Sequence, residues 1–234
     1  MKILAFDTAA KTASVALNEN GKIISEFFLD SGFTHSETVL PMAKALLDAS
    51  KVKSEEIDVF AVNCGPGSFT GLRIGIAAVK AMAMANNKKC AAVSSLEALA
   101  YNTLGLNGII CPVMDARCGQ VYTAFFENNG IEIKRLSEDH TVMADFLADE
   151  IKNAYPNTKV IFVGDGTKIM LSKLQNDYYI SAPLAELNGK ASSVSKVAEK
   201  IIEMGNLVSA GELSPNYLKL AQAEKEKLER EGKL

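Results

Sequence analysis

The sequence FAVNCGPGSFTGLRIGIAAVKAMAMA, residues Phe60–Ala85, changes character twice. An apolar run passes into Asn63 and Cys64, breaks at Gly65-Pro66-Gly67, and resumes at Ser68 as a long series of helix formers. This predicts a strand, a tight turn and a helix. Glycine permits backbone paths closed to other residues, proline removes a donor and fixes φ, and Ser68 or Thr70 supplies a cap. A helix N-terminus opening from such a loop presents unpaired N–H groups and a positive partial charge suited to phosphate. The stretch lacks the Gly-Lys-Ser/Thr ending of a P-loop, so a phosphate contact and a plain structural turn both account for it.

Within the predicted helix, Gly71, Gly75 and Ala78 share one side, beside an apolar stripe of Leu72, Ile76, Val79 and Ala83. A glycine inside a helix costs about 1 kcal/mol, so two of them imply the close approach of another backbone. That backbone belongs either to this chain or to a partner.

Outward from this stretch, the chain of 234 residues, 48% hydrophobic and 23% charged, has the composition of a soluble globular protein of one large or two small domains. A formal charge of -3 provides no global attraction to nucleic acid, so any such contact is local or belongs to a partner. Four cysteines, Cys64, Cys90, Cys111 and Cys118, form no CxxC pair, which suits a reducing compartment and points to the cytoplasm. No apolar segment is long enough for a bilayer, and the start MKILAFDTAA has no signal-peptide pattern. With His35 and His140 as the only histidines, a histidine-rich metal site is excluded.

Residues 2–7, 12–17 and 22–29 read as strands, the last two joined by an Asn20-Gly21 hairpin turn. Thr34-His35-Ser36-Glu37 is a capping-box pattern opening an amphipathic helix that contains Pro41. The strand and helix of residues 60–85 follow, then a short strand at 90–93 and a helix capped at Ser94. The first half therefore runs β-β-β-α-β-α. The second half repeats the order, with strands at 109–114, 120–126 and 131–136, a helix at 142–153, and a strand at 159–163 entering Gly164-Asp165-Gly166 before another helix. Duplicated βββαβα lobes, each with a glycine turn after its fourth strand, predict an α/β protein of the actin-like ATPase (ASKHA) architecture. The lobes are expected at residues 1–104 and 105–213, followed by a charge-dense and helical tail at 214–234.

Asp7 and Asp115 end corresponding strands, where α/β proteins place metal-bridging or basic carboxylates, although Asp also ends strands for purely structural reasons. Asp115 is read in the structural role, and Arg117 either meets an anion or pairs locally with Asp115, with the ion pair preferred. His35 reads as a helix-start residue, and Cys118 has no histidine near it in sequence to activate it as a nucleophile. Asp7, Gly65, Gly67, Gly164 and Gly166 are the candidates for surrounding a nucleotide. No nucleophile–base pair can be assembled.

The segments Asp7-Thr8-Ala9, HSETVLP from His35, GPGSFTGLRIG from Gly65, Asp115-Ala116-Arg117 and Pro215-Asn216-Tyr217-Leu218 together resemble the TsaB (YeaZ) family, over essentially the whole chain. The resemblance implies an accessory subunit of tRNA threonylcarbamoyladenosine (t6A) formation at position 37 of ANN-reading tRNAs. In the related catalytic subunit, TsaD, two metal-binding histidines lie four residues apart on a helix. Ser95 and Leu99 stand at those places here, and neither can replace imidazole. The implied partners are a TsaD-like subunit and a TsaE-like ATPase, with a homodimer when alone and tRNA met only through the complex. The expected interface comprises His35, Thr38, Val39, Met42 and Leu46 on one helix, and Gly71, Leu72, Arg73, Gly75, Ile76, Ala78, Val79 and Met82 on the next. Gly75→Leu is accordingly expected to weaken the partner complex and spare the fold. No cofactor, metal or catalytic residue is assigned to this chain, and ATP or ADP enters only with the complex. The competing expectation is a nucleotide hydrolase built on Asp7, or a peptidase-like enzyme.

Overall fold

The computed structural model describes residues 1–219. Eight of the fifteen residues from 220 to 234 are charged, and the expectation of a helical tail there lies outside the described residues.

The first sheet follows directly from alternation. Strand β1 (Lys2–Asp7) pairs antiparallel with β2 (Ala13–Glu19), which pairs with β3 (Lys22–Leu29). On its other side β1 runs parallel to β4 (Val59–Gly65), and β4 to β5 (Lys89–Ser94), giving the order β3-β2-β1-β4-β5. Because side chains alternate along a strand, Leu4 and Phe6 enter one apolar layer while Ile3 and Ala5 enter another. Both faces are buried, which accounts for the unbroken apolar runs in the central strands.

The first layer receives α1 (His35–Ser50) and α2 (Phe69–Ala85). Helix α1 starts where the capping box places it: the Glu37 carboxylate accepts from the Thr34 N–H at 3.2 Å and hydroxyl at 2.7 Å. Pro41 is carried inside this helix on its exposed side. Helix α2 is capped by Ser68, whose Oγ accepts from the Gly71 N–H at 3.2 Å.

The second sheet has strands β6 (Asn107–Asp115), β7 (Gln120–Thr123), β8 (Phe126–Asn129), β9 (Ile133–Arg135), β10 (His140–Met143), β11 (Val160–Val163) and β12 (Tyr179–Ser181). Its path, β10-β7-β6-β11-β12, reproduces the pairing pattern of the first sheet, with the β8–β9 hairpin added against the start of β6. The duplication is therefore real, but its third strand differs from the expectation. The 120–126 run divides at Ala124-Phe125, residues 131–136 supply only the hairpin strand β9, and His140–Met143 takes the third-strand place before α4 (Ala144–Ala154) begins. Helices α4 and α5 (Thr167–Lys173) cover the outer face.

Helix α3 (Ser95–Tyr101) lies between the two sheets, with Leu96 and Leu99 joining the core that receives Ile110, Met114 and Ile161. Helix α6 (Ala191–Glu203) packs Val194, Val197 and Ala198 on Ile3, Ala5 and Ala91 of the first sheet. The expected 105–213 lobe thus yields its last helix to the first lobe, whose second face would otherwise lie open.

Candidate functional site

The carboxyl ends of β1, β4, β6 and β11 face a cleft between the lobes, and Asp7 is its most enclosed carboxylate, 3% exposed. Its Oδ1 accepts the Ala9 N–H at 3.0 Å. Burial pushes its pKa from 3.8 up to about 6, against the opposing pull of the Ala9 N–H, the nearby Asn63 amide and His35. Around it the chain fills its own cleft. Gly189 lies so close that a methyl there would overlap Asp7 Oδ2, Gly164 N–H donates to Leu187 O at 3.0 Å, and the Asn102 amide donates to Glu186 O and Asn188 O at 2.8 and 2.7 Å. The inner chamber that remains measures about 10 Å³, room for one water.

The expected nucleotide residues are held by backbone contacts of this chain. A methyl on Gly65 would overlap Asn216 O, one on Gly67 Ala9 O, one on Gly164 Val113 O, and one on Gly166 the Val113 side chain. Close backbone approach explains each glycine without a phosphate. Asp7 and Gly164 line only the small inner chamber, Gly67 lines the wider mouth, and Gly65 and Gly166 line neither.

The mouth of the cleft is open. A cavity of about 720 Å³ is walled by Ala9, Ala10 and Lys11 of the β1–β2 turn, Gly67 to Thr70 at the start of α2, Met114 to Cys118, Tyr122, Asp165 and Lys219. Arg117 does not pair with Asp115 as expected. Its backbone N–H donates to Asp115 Oδ1 at 2.7 Å, while its guanidinium has no partner among the described residues. Asp115 N–H in turn donates to Asp165 Oδ1 at 3.0 Å, and desolvation, with Asp115 alongside, raises the Asp165 pKa.

The α1–α2 pair separates the expected interface residues into two groups. Val39, Leu46, Leu72, Ile76, Ala78 and Val79 are buried inside this chain, and a methyl at Gly71 or Gly75 would overlap Thr8 O or Thr8 Oγ1. The backbone implied by the two glycines is therefore this chain's own β1–β2 turn, and Thr8 Oγ1 fastens it by donating to Gly71 O at 2.8 Å. This corrects the placing of those residues on a partner-facing surface and the expectation that Gly75→Leu spares the fold. His35, Thr38 and Met42 are partly buried, Met82 likewise, and Arg73 is exposed, its Nε donating to Tyr217 OH at 2.7 Å. What α1 and α2 present to solvent is a different set: Leu40, Ala45 and Ala49, with Ala77, Ala81 and Met84. Leu40 is 48% and Met84 70% exposed. The signal for these was the alanine spacing of four on the side of α2 opposite the glycines.

Ser95 and Leu99 are buried in α3, and no group of three metal-capable His, Cys, Asp or Glu side chains occurs among the described residues. An ionic cluster that sequence reading missed lies beside this helix. Arg135 meets Asp139 at 2.6 Å and Glu97 at 3.1 Å, stacks over Phe126, and Ser94 Oγ donates to Asp139 at 2.6 Å, so β9 and the β9–β10 turn are fastened to α3. No helix among the described residues is long and apolar enough to cross a membrane.

Two sheets of matched strand order, joined by a central helix and facing across a cleft, define an actin-like ATPase fold. Component A of (R)-2-hydroxyglutaryl-CoA dehydratase from Acidaminococcus fermentans shares that fold, with a TM-score of 0.52 at 10% identity over 86% of this chain and 99% of its own. Closer likeness comes from YeaZ of Pseudomonas aeruginosa, with a TM-score of 0.81 at 26% identity over 93% of this chain and 99% of that one. The family model of TsaD, tRNA N6-adenosine threonylcarbamoyltransferase, matches residues 31–229. The tRNA threonylcarbamoyladenosine biosynthesis protein TsaB of Bacillus subtilis is 31% identical over 228 residues, 96% of either chain. The chain belongs to the TsaB family.

Proposed function

We propose that this chain is a non-catalytic subunit of t6A formation, holding a TsaD-like threonylcarbamoyltransferase in its working state through the exposed face of α1 and α2. The observation that carries the proposal is the filled inner cleft: the Leu187–Gly189 backbone occupies the space beside Asp7, leaving about 10 Å³. A nucleotide or substrate site of ordinary size needs some thirty times that volume or more, and the wider mouth, about 720 Å³, is not lined by Asp7. Family membership supplies the pathway, and the apolar, small-residue surface of Ala77, Ala81 and Ala45 is suited to close helix packing against another chain. The same surface would serve a homodimer when the chain is alone. A TsaE-like ATPase completes the proposed assembly, and ATP or ADP is used by the partners. The protein acts in the cytoplasm, where its four unpaired cysteines remain reduced.

One observation favours the enzyme reading: Asp7, with its pKa at about 6, is suited by protonation to general base work near neutrality. Reconstitution separates the two. Purified TsaD-like subunit, threonylcarbamoyl-adenylate and an ANN-reading tRNA should form t6A only when this chain is added, and Asp7→Asn should support the reaction as well as wild type. An Asp7-dependent ATP hydrolysis by the chain alone would replace the scaffold reading with the hydrolase.

A further inference from the structure

We propose that the mouth of the interlobe cleft is a contact site for an RNA backbone phosphate, with Arg117 as its principal cation; the inference rests on the tRNA-directed role proposed above. Three cations from separate parts of the chain line this cavity of about 720 Å³: Lys11 in the β1–β2 turn, Arg117 in the β6–β7 turn and Lys219 after the Tyr217 segment. Lys11 is held by an exposed pair with Asp30 at 3.2 Å, and Lys219 donates to Ala116 O at 2.9 Å. Arg117 alone has a guanidinium without a partner among the described residues. Two acids also line the cavity; Asp115 Oδ1 accepts the Arg117 N–H and Asp165 Oδ1 the Asp115 N–H, neither pairs with the Arg117 guanidinium, and the three cations outnumber them. At the opposite wall, the Phe69 and Thr70 N–H groups of α2 have no acceptor among the described residues, whereas Ser68 N–H is used by Ala9 O at 2.7 Å and Gly71 N–H by Ser68 Oγ. Donors without acceptors thus face an open space from both lobes.

A second observation is that the mainly apolar depth of the cleft holds two unpartnered polar side chains. Its inner chamber shares Ala9, Ala10, Met114 and Asp165 with the mouth and is lined by Asn63 and Ser95, each 1% exposed and each without a hydrogen-bond partner for its side chain. The inner chamber admits no more than a water. The mouth, at about 720 Å³, has room for a small phosphorylated ligand as well; the tRNA-directed role favours an RNA backbone, and the test below separates the two sources. The overall charge of -3 makes the contact local, so it positions one or two phosphates and does not bind RNA by bulk attraction.

The test is equilibrium binding of an ANN-reading tRNA at several KCl concentrations, to the chain with its TsaD-like subunit and to the chain alone, for wild type, Arg117→Lys and Arg117→Glu. Arg117→Glu should weaken binding about tenfold, equally for cognate and unrelated tRNAs, and reduce the salt slope by about one, while Arg117→Lys keeps most of the affinity. Co-elution with the TsaD-like subunit and the thermal midpoint should not change. Equal affinity and slope for wild type and Arg117→Glu would overturn the proposal. So would calorimetry in which pyrophosphate or ADP binds in an Arg117-dependent way while tRNA binding is unaffected, since the site would then serve a small phosphorylated ligand. Failure of the TsaD-like subunit to bind the wild-type chain would instead overturn the scaffold reading, and the chain-alone comparison still decides the phosphate contact.

Discussion

Asp7 shows how a residue can retain catalytic-looking chemistry in a space too small for a substrate. Burial holds its pKa at about 6 in the folded chain, against 3.8 when unfolded. The folded state therefore binds the extra proton between those values, so the stabilising contribution is complete below pH 3.8 and is lost as pH rises through 6. Above that, keeping Asp7 ionised costs about 3 kcal/mol as an upper bound. Asp7→Asn should therefore be more stable than wild type at pH 8 and gain nothing at pH 3.5, as measured by urea denaturation at both values. An advantage independent of pH would show that ionisation is not the cause. Gly75 permits a similarly direct test. Adding a methyl forces Thr8 Oγ1 to move, at about 1–3 kcal/mol, against a gain of about 1 kcal/mol in helix propensity. Gly75→Ala should destabilise wild type, yet become neutral or stabilising in a Thr8→Ala background. An equal penalty in both backgrounds would show that Thr8 is not the obstacle.

Among the elements, α2 carries two faces with opposite duties. Its glycine side admits the β1–β2 turn, and its alanine side faces solvent. Sequence showed that some backbone came close at Gly71 and Gly75, because nothing else justifies two glycines in a helix. It did not show which backbone, since the answer depends on Thr8, far away in the chain and brought near only by the parallel pairing of β1 with β4. The strand-turn-helix at residues 60–85, the capped start of α1 and the repeated order of elements were all legible from local pattern. The third strand of the second sheet was not: His140–Met143 is short, partly exposed and adjoins a helix, so only its pairing with β7 marks it as a strand. Ala81→Glu follows from the alanine face. Placed on an exposed helical position, it should leave the monomer's thermal midpoint within about 1 °C, since surface substitutions seldom exceed 0.5 kcal/mol. In sedimentation it should nevertheless weaken association with the TsaD-like subunit and with a second copy. Unchanged association would move the interface elsewhere.

Across the whole molecule, the lobes are fastened at several points along the cleft. Asn102 and Gly164 hold the Glu186–Asn188 backbone, α6 crosses to the first sheet, and the Arg135 cluster ties the β8–β9 hairpin to α3. Arg135→Ala should cost about 2 kcal/mol, less than a fully enclosed pair because Arg135 keeps some contact with water. Arg135→Lys should recover little of it in the same denaturation measurement, as lysine cannot hold two carboxylates and the Phe126 ring in one geometry. Such fastening suits a protein that presents a fixed surface. The most direct test is the t6A content of bulk tRNA, by nucleoside mass spectrometry, in cells depleted of this protein and rescued with wild type, Asp7→Asn or Ala81→Glu. A partner-holding subunit predicts that wild type and Asp7→Asn restore t6A and Ala81→Glu does not. Restoration by Ala81→Glu together with failure of Asp7→Asn would contradict it and make the cleft the working site.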